Sequence, residues 1–313
     1  MIKIERCGPL TTIQDRGRTG YKRIGVGCAG PYDRLSYLCG QLLLRNHDLP
    51  AVEILFYPLR VSFTADMTVA VTGASGNIRL DDQVQLPWSR FSVQAGQTLV
   101  IHQPTPGRGI ATYLGVAGGL STDTILGSAS ADLKAKFAGF CGREIAAGDL
   151  LPVGDPCVAL SELGINPQSL FDTDKSQIHF VPGFEFAHLK GADAGNVSAS
   201  GWRISPRSNR IGVRLEGAPL AMRSAIELLS YGLVPGLIQL PPDGQPIVLM
   251  ADAQTMGGYP RLGFIPESEL SKLAQNDLGS TISLIPVSIA SAEALAGKQN
   301  SKLDKLRAYA EIA

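Results

Sequence analysis

Short apolar runs that alternate with polar residues, and that end at Gly, Pro or Asp, recur along most of this 313-residue chain. Alternation with a period of two is typical of β-strands that bury one face. In the first half it predicts strands at 2–6, 51–55, 59–63, 67–72, 77–80, 91–93, 98–103 and 110–116. In the second half it predicts strands at 177–181, 200–204, 212–215, 237–240, 247–251, 261–265 and 281–286. The chain is therefore predicted to be mainly β.

Helical periodicity is confined to a few segments. Leucines recur at helical spacing between Pro31 and Arg45, and Asp33 lies near the start, where a carboxylate favours the positive end of a helix. A short amphipathic helix is predicted at 267–275, before the last strand. A helix rich in Ala, Lys and Leu is predicted from about Ser291 onward. These helices are expected to be peripheral to the β-structure.

Two halves of similar style are separated by a change in composition. The alternation stops at 154–176, where Pro, Gly, Ser and Asp accumulate, as in a connection between domains. The segment 96–101, followed by Tyr113, has a counterpart in 244–249, followed by Tyr259. Two similar β-barrels are one interpretation, and chance likeness between Gly-rich strands is the other. The predicted domains are an N-terminal barrel-like domain at 1–160 that includes the 31–45 helix, a C-terminal barrel at 177–298 and a helical tail at 299–313.

Composition limits the classes of function. The 35 glycines and 20 prolines suit many turns between short strands, and a hydrophobic content of 44% is enough for a large core. Lys plus Arg, 28, balance Asp plus Glu, 28, so no basic face is predicted for nucleic acid or an anionic membrane. No apolar run approaches the roughly 18 residues of a membrane span. The cysteines form no CxxC motif and the first residues lack a signal-peptide pattern, so we predict a cytoplasmic protein.

Several motifs of catalysis and cofactor binding are excluded. Residues 25–30 match GxGxxG, but the preceding segment 19–23 is polar rather than a buried strand, so we interpret the motif as a turn into a helix. The sequence contains neither GxxxxGK[ST] nor GxSxG. The histidines have no metal-ligand spacing, and no metal site is predicted. They are His47, His102, His179 and His188.

Polar side chains are concentrated in four loops that are rich in Gly and Pro. These loops are 14–18, 208–212, 239–246 and 252–260. The last loop follows a very apolar strand and presents a carboxylate, an amide and a hydroxyl before two glycines that let backbone approach a ligand. Such a loop is typical of a small-molecule pocket at the end of a barrel, and a simple polar turn is the alternative.

These loops belong to a longer series of motifs. The series comprises TTIQDRGRTGY (11–21), AGPYD (29–33), VAGGLSTDTILGSAS (116–130), GFCGREIAAGD (139–149), SNRIGVRLEG (208–217) and ELLSYGLVPGLIQLPPDGQPIVLMADAQTMGGYP (227–260). Through them the chain resembles the biotin-dependent carboxyltransferase-like family, also called allophanate hydrolase subunit 2. The members it resembles most are the C subunits of 5-oxoprolinases. The resemblance implies two cyclophilin-like β-barrel subdomains with a few peripheral helices.

The resemblance implies three possible functions. The first is the C subunit of an ATP-dependent 5-oxoprolinase, which acts with the A and B subunits to convert 5-oxo-L-proline to L-glutamate through phosphorylation of the lactam oxygen. It implies ATP with Mg at the level of the complex, and a homologue of the B subunit, together with the A subunit, as partners. The second is a carboxyltransferase that moves a carboxyl group from biotin to urea. The third is a non-enzymatic antagonist of a histidine-kinase inhibitor. The lack of biotin-carboxylase and carrier segments in this sequence favours the first.

Candidate site residues follow from the motifs that match. Arg210 is expected to stabilise a phosphoryl group, and Asp252 to orient a substrate N–H or a metal-bound group. Gln254 and Thr255 are expected to bind a carboxylate or carbonyl. Further substrate-binding candidates are Asn209, Gln239, Gln245, Gly257, Gly258, Tyr259, Gln14, Asp15, Arg18 and Arg143.

Structural roles compete with some of these assignments. Asp15 and Arg18 are expected, as an alternative, to pair within their loop, and Asp149 to serve a turn. Met256 stands where family members often carry a second threonine, which leaves the hydroxyl of Thr255 alone there. The resemblance weakens between 154 and 200, so no contacts are assigned to that region.

Overall fold

The computed structural model describes residues 1–74, 76–155, 160–170, 174–191, 193–224 and 228–312. The chain divides into two compact units. The first unit comprises Met1–Arg18, Ala29–Phe171 and Ser301–Ala313, and the second comprises Thr19–Cys28 and Asp172–Asn300. The domain limits predicted at 160, 177 and 298 stay predictions, because compact units defined by contacts need not coincide with domains.

The first unit consists mainly of short antiparallel strands. They are β1 (Ile2–Arg6), β2 (Thr12–Gln14), β3 (Ala51–Ile54), β4 (Leu59–Phe63), β5 (Met67–Gly73), β6 (Ile78–Leu80), β7 (Gln83–Gln85), β8 (Ser89–Val93), β9 (Thr98–Ile101), β10 (Thr112–Val116), β11 (Leu150–Leu151) and β12 (Leu163–Gly164). The helices are α1 (Arg34–Leu43), the single turn α2 (Pro167–Leu170) and, from Ser301, the end of the helix that runs to Ile312. One six-stranded sheet has the order β11-β1-β4-β9-β6-β7, and the other has the order β12-β8-β5-β10-β3-β2.

The core of the first unit draws on both sheets. The alternating apolar positions of β1, β4 and β9 are buried in the same cluster as those of β3, β5 and β10. The edge strands are β7 and β11 in one sheet and β2 and β12 in the other. The barrel-like architecture predicted for this half therefore takes the form of two six-stranded sheets around one core.

Helix α1 begins later than its periodicity predicts. The Asp33 carboxylate accepts hydrogen bonds from the backbone N–H groups of Leu35 and Ser36, so the helix starts at Arg34 instead of Pro31. The cap is tied to the sheet through the buried Glu53, whose Oε2 accepts from the Tyr113 hydroxyl at 2.7 Å. The Tyr113 hydroxyl in turn accepts from the Asp33 N–H at 2.8 Å.

The second unit is built around a closed barrel. Its strands are β13 (Gln177–Pro182), β14 (Trp202–Ile204), β15 (Gly212–Glu216), β16 (Tyr231–Gly232), β17 (Leu237–Gln239), β18 (Ile247–Leu249), β19 (Met256–Gly257), β20 (Arg261–Phe264) and β21 (Thr281–Pro286). The helices are α3 (Asp193–Ala199), α4 (Glu267–Ala274) and the start of α5 (Ile289–Ile312), with 3-10 turns at Lys22–Ile24 and Phe184–His188. The barrel order is β13-β20-β17-β18-β15-β14-β21, closed by a parallel β13–β21 pair. β16 and β19 form a separate two-stranded ribbon.

The prediction of a mainly β chain with peripheral helices is confirmed. The alternating strands β13, β14, β15 and β21 place fully buried side chains in the barrel, among them Phe180 and Trp202. The strands missing from the sequence prediction have two residues each in β11, β12, β16 and β19, and three each in β2 and β7. These lengths are too short for an alternating pattern to show. β12 and α2 lie within the predicted connection 154–176, of which 156–159 and 171–173 are outside the described residues.

The GxGxxG match at 25–30 has no strand leading into it. A 3-10 turn, Lys22–Ile24, precedes it, and Gly25 ends that turn with a positive φ of 84°. The next helix begins only at Arg34. This geometry agrees with the interpretation of the motif as a glycine-permitted turn. In the described part of the chain, no helix is both long and apolar enough to cross a membrane.

Gly236, just before β17, has a backbone conformation and a close neighbour that favour glycine. Its φ is +90°, and a Cβ there would lie 2.4 Å from the carbonyl oxygen of Ile265. We expect Gly236→Ala to lower the free energy of unfolding by about 1–3 kcal/mol, measured by urea denaturation. The control is Gly232→Ala, because a Cβ at Gly232 meets nothing within 4 Å. Equal effects of the two substitutions would contradict the prediction.

Candidate functional site

The barrel register brings two of the predicted site residues together. β15 and β18 are antiparallel neighbours with Gly212 opposite Leu249, so residues just before β15 and just after β18 lie at the same end of the barrel. Arg210 Nε lies 2.8 Å from Asp252 Oδ2, and Arg210 Nη2 lies 2.8 Å from Asp252 Oδ1. The Asp252 N–H also donates to the Arg210 carbonyl at 2.9 Å. Side chains and backbone therefore hold the pair in one geometry.

The two members of this pair differ in their exposure. The Arg210 side chain is 5% exposed, whereas that of Asp252 is 23% exposed. A two-point guanidinium–carboxylate contact fixes the plane of the carboxylate and neutralises much of the charge of the cation. Asp252 is thus the member that a small molecule reaches more readily, and Arg210 is the group that orients it.

The β16–β19 ribbon lies next to this pair in sequence and carries more of the predicted residues. The Leu233 N–H donates to the Thr255 carbonyl at 3.0 Å. A Cβ at Gly257 would lie 3.0 Å from Leu233 Cδ1 and 3.1 Å from Gln239 Nε2, so a glycine allows this close packing. Gln254 is exposed and Thr255 is half-buried, which leaves both side chains available to a ligand.

A second polar cluster surrounds Tyr231 in β16. The Tyr231 hydroxyl accepts a hydrogen bond from Gln239 Nε2 at 3.2 Å and donates one to the Tyr259 carbonyl. The guanidinium of Arg261 lies 4.8 Å from the centre of the Tyr231 ring, a cation–π contact. Partial burial raises the pKa of Tyr231, so its hydroxyl stays protonated and able to donate at neutral pH.

Arg261 also forms an ion pair with the buried Glu185. Its Nε lies 3.0 Å from Glu185 Oε2, and the Glu185 side chain is only 3% exposed. Burial alone raises the pKa of Glu185, but the hydrogen bonds and charge of Arg261 outweigh burial and lower the pKa overall. Glu185 is therefore an anion whose cost of burial is offset by Arg261.

Two predicted substrate-binding residues, Gln245 and Asn209, make hydrogen bonds within turns, and their roles in substrate binding stay predictions. The Gln245 side chain accepts from the Gly217 N–H at 2.9 Å and donates to the Gly217 carbonyl at 3.1 Å. Asn209 Oδ1 accepts from the N–H groups of Ile211, at 2.9 Å, and Gly212, at 3.3 Å. These contacts use Oδ1 of Asn209 and both polar atoms of Gln245 to shape the loops beside β15 and β18.

The predicted loop 14–18 lies in the first unit and is held there by internal hydrogen bonds. The Asp15 carboxylate accepts from the hydroxyls of Ser128 and Ser130 and from the Gly17 N–H. Arg18 donates to the Ser130 carbonyl and stacks on the Phe137 ring at 4.6 Å.

Gln14 and Arg143 complete the predicted set in the first unit. Gln14 Oε1 accepts from the Gly30 N–H at 3.2 Å. Arg143 forms a two-point ion pair with Asp149, at 2.7 and 2.8 Å, and Asp149 also accepts from the Ala146 N–H. The hydrogen bonds from Arg143 lower the pKa of Asp149. Asp149 thus serves a turn, as predicted, and the substrate-binding roles of the residues in this unit stay predictions.

Three residues of these clusters were missed by the sequence interpretation. Tyr231 lies inside the longest matching motif, and Arg261 directly follows it, so proximity to that motif was the available signal. Glu185 lies where the resemblance weakens, and only its contact with Arg261 identifies it. Among the described residues, no group of three or more His, Cys, Asp or Glu side chains is arranged to hold a metal ion.

Comparisons with known proteins agree with the motifs. The family model described as "Carboxyltransferase domain, subdomain A and B" matches residues 24–286. The chain is 39% identical to the 5-oxoprolinase C subunit of Escherichia coli K12, covering 96% of both chains, and 37% identical to the 5-oxoprolinase C subunit of Haemophilus influenzae, covering 98% of both. The crystal structure of the K. lactis urea amidolyase superposes with a TM-score of 0.89 at 27% identity over 97% of this chain, which spans 20% of that protein.

The Arg261–Glu185 pair predicts a pH-dependent stability. A carboxyl with a lowered folded pKa contributes stability above its unfolded pKa and loses it as the pH falls through the folded pKa. We expect Arg261→Ala to lower the free energy of unfolding by about 1–3 kcal/mol at pH 7, because Glu185 would remain buried without its cation. The difference from wild type should shrink as the pH falls below about 4 and through the lowered pKa of Glu185 in the folded wild type, because Glu185 then becomes protonated there as well. Urea denaturation across this pH range measures it.

The control for this experiment is Arg60→Ala. Arg60 pairs with Glu5 at 2.7 Å, but both side chains are substantially exposed. Solvent screening should limit its effect to about 0.5 kcal/mol at pH 7. A loss in Arg261→Ala that is the same at pH 7 and at low pH would show that the Glu185 charge is not its cause.

Proposed function

The chain belongs to the carboxyltransferase domain family, subdomain A and B, and from this premise we propose that it acts as the C subunit of an ATP-dependent 5-oxoprolinase. With the A and B subunits it would convert 5-oxo-L-proline to L-glutamate. The observation that carries the proposal is the identity of 39% and 37%, over nearly the whole of each protein, to two proteins named as C subunits of 5-oxoprolinase.

The reaction explains why ATP is needed. A five-membered lactam is a resonance-stabilised amide, so its carbonyl carbon is a poor electrophile. Attack of the lactam oxygen on the γ-phosphorus of ATP releases ADP and makes an O-phosphorylated imidate. Water then adds to the ring carbon, the ring C–N bond breaks with a proton going to nitrogen, and a second water cleaves the resulting acyl phosphate to glutamate and phosphate. Each step moves charge that oriented donors and cations can stabilise.

The Arg210–Asp252 pair fits a substrate-orienting role in this scheme. The lactam has one N–H donor, and the partly exposed Asp252 carboxylate is an acceptor held in a fixed plane by Arg210. We therefore assign the contact with the substrate N–H to Asp252 and the positioning of that carboxylate to Arg210. Gln254, Thr255 and the backbone N–H groups of Gly257 and Gly258 are assigned to the substrate carbonyl or carboxylate.

A biotin-dependent carboxyltransferase is the second candidate. The TM-score of 0.89 to the K. lactis urea amidolyase supports it, because the fold of this chain also occurs in that larger protein. The identity there is 27%, against 39% for the E. coli 5-oxoprolinase C subunit. The higher identity favours the 5-oxoprolinase role.

The direct test is glutamate formation by this chain mixed with the A and B subunits of the same enzyme, supplied with 5-oxoproline and Mg-ATP. We expect activity only in the complete mixture. Asp252→Ala should lower kcat by about 100-fold or more, since an oriented polar contact to the reacting group is lost. Arg210→Lys should have a smaller effect than Arg210→Ala, because lysine keeps the charge without the two-point contact.

The matched control is Arg203→Ala on the same barrel. Arg203 pairs with Glu216 at 3.4 Å and is 56% exposed, so its removal should leave kcat within about twofold of wild type. Full activity in Asp252→Ala would refute the site assignment. Urea-dependent decarboxylation of carboxybiotin, with no glutamate formed, would replace the proposed function by the second candidate.

A further inference from the structure

A short segment of the early chain, residues 19–28, belongs to the barrel unit. Its 3-10 turn is closed by hydrogen bonds from the Ile24 N–H to the Tyr21 carbonyl, at 3.1 Å, and from the Gly25 N–H to the Lys22 carbonyl, at 3.0 Å. Gly25 has the positive φ that ends the turn. The backbone of Lys22 is therefore fixed by local structure.

The Lys22 side chain reaches the loops of the candidate site. Its Nζ donates to the Leu233 carbonyl at 2.8 Å. Leu233 is the residue whose N–H binds the Thr255 carbonyl and whose side chain packs against Gly257. On the same segment, a Cβ at Gly27 would lie 3.7 Å from the carbonyl oxygen of Ala253, the residue after Asp252. Lys22 thus places an ammonium group beside the loop that carries Asp252 and Thr255.

Lys22 differs from the neighbouring arginines in the group that its positive charge contacts. Arg210 faces the carboxylate of Asp252, and Arg261 faces that of Glu185. Within the described residues, the polar contact of Lys22 is the neutral Leu233 carbonyl, and no carboxylate pairs with it. An ammonium group has three N–H donors, so two remain for a ligand. Lys22 is also half-buried, where a charge interacts more strongly than in bulk water.

We propose that Lys22 binds the carboxylate of the substrate, and this inference rests on the proposed function. In 5-oxo-L-proline the carboxylate is attached to the carbon next to the ring N–H. A site that recognises both groups needs an acceptor and a cation, and the Leu233 backbone links Lys22 to the loop 252–260 that carries Asp252. Asp252 supplies the acceptor and Lys22 supplies the cation, so Lys22 selects lactams that carry an acid group.

The experiment uses the reconstituted complex of this chain with the A and B subunits. Lys22→Gln keeps an N–H donor for the Leu233 carbonyl and removes the charge. We expect it to raise KM for 5-oxoproline about 10-fold or more, which corresponds to about 1.4 kcal/mol, with kcat and the KM for ATP within about twofold. Lys22→Arg should restore most of the loss. Arg23→Ala, which removes an exposed cation one residue away, is the matched control and should leave both KM values unchanged.

A lactam without the acid group tests whether Lys22 acts on the substrate carboxylate rather than on another anion. Turnover of 2-pyrrolidinone, the same lactam without a carboxylate, should be equal in wild type and Lys22→Gln. A rise in the KM for ATP instead of 5-oxoproline would overturn the proposal in favour of a phosphate contact. An unchanged KM for 5-oxoproline in an active Lys22→Gln complex would overturn it while leaving the proposed function intact. Melting temperatures of the variants identify any general loss of folding.

Binding measured without turnover distinguishes the carboxylate site from the proposed function. If the wild-type complex forms no glutamate, the proposed function fails, and 5-oxoproline is then titrated into the same complexes by calorimetry. Binding by wild type that is about 10-fold weaker in Lys22→Gln would still support the carboxylate site. Equal binding by the two complexes, or none by either, would overturn it.

Discussion

Closure of the seven-stranded barrel is the constraint on which the candidate site depends. The parallel pairing of β13 with β21 completes a ring in which β15 and β18 have one register, with Gly212 opposite Leu249. A shift of one residue would turn every side chain to the other face and expose the barrel core. That core therefore enforces the register, and the register places Arg210 against Asp252, 42 residues apart in sequence.

The cations around the candidate site differ in the groups that they contact. Arg261 pairs with a buried carboxylate and contacts an aromatic ring, and Arg210 pairs with Asp252. Pairing stabilises these cations where they are but weakens their attraction for an anionic ligand. Lys22, bound to a carbonyl, retains that attraction. The zero net charge of the chain conceals this difference, because it counts paired and unpaired cations alike.

Features that depend on local pattern could be predicted from the sequence alone. The alternating apolar positions predicted the barrel strands, and the family motifs singled out Arg210 and Asp252, which the structure pairs. Pairing across the barrel and the assignment of Gln245 to a turn at Gly217 depend on contacts between distant residues, which no local pattern reports. Lys22 could least be predicted, because only its contact with Leu233, 211 residues away, links it to the candidate site. Its own segment has only the pattern of a polar turn.

The β16–β19 ribbon couples the two polar clusters of the second unit. Tyr231 is paired with Gly257 across the ribbon, and its hydroxyl and ring contact Gln239 and Arg261. Gly257 in turn packs against Gln239 and Leu233, next to Thr255. A substitution of Arg261 can therefore change the position of Thr255 through packing alone, without any contact between Arg261 and a substrate. Loss of activity after a substitution in the Tyr231 cluster is thus weak evidence for a catalytic role. The substitution Lys22→Gln removes a charge and keeps a donor for the Leu233 carbonyl, so its effect on substrate binding can be measured with little change in packing.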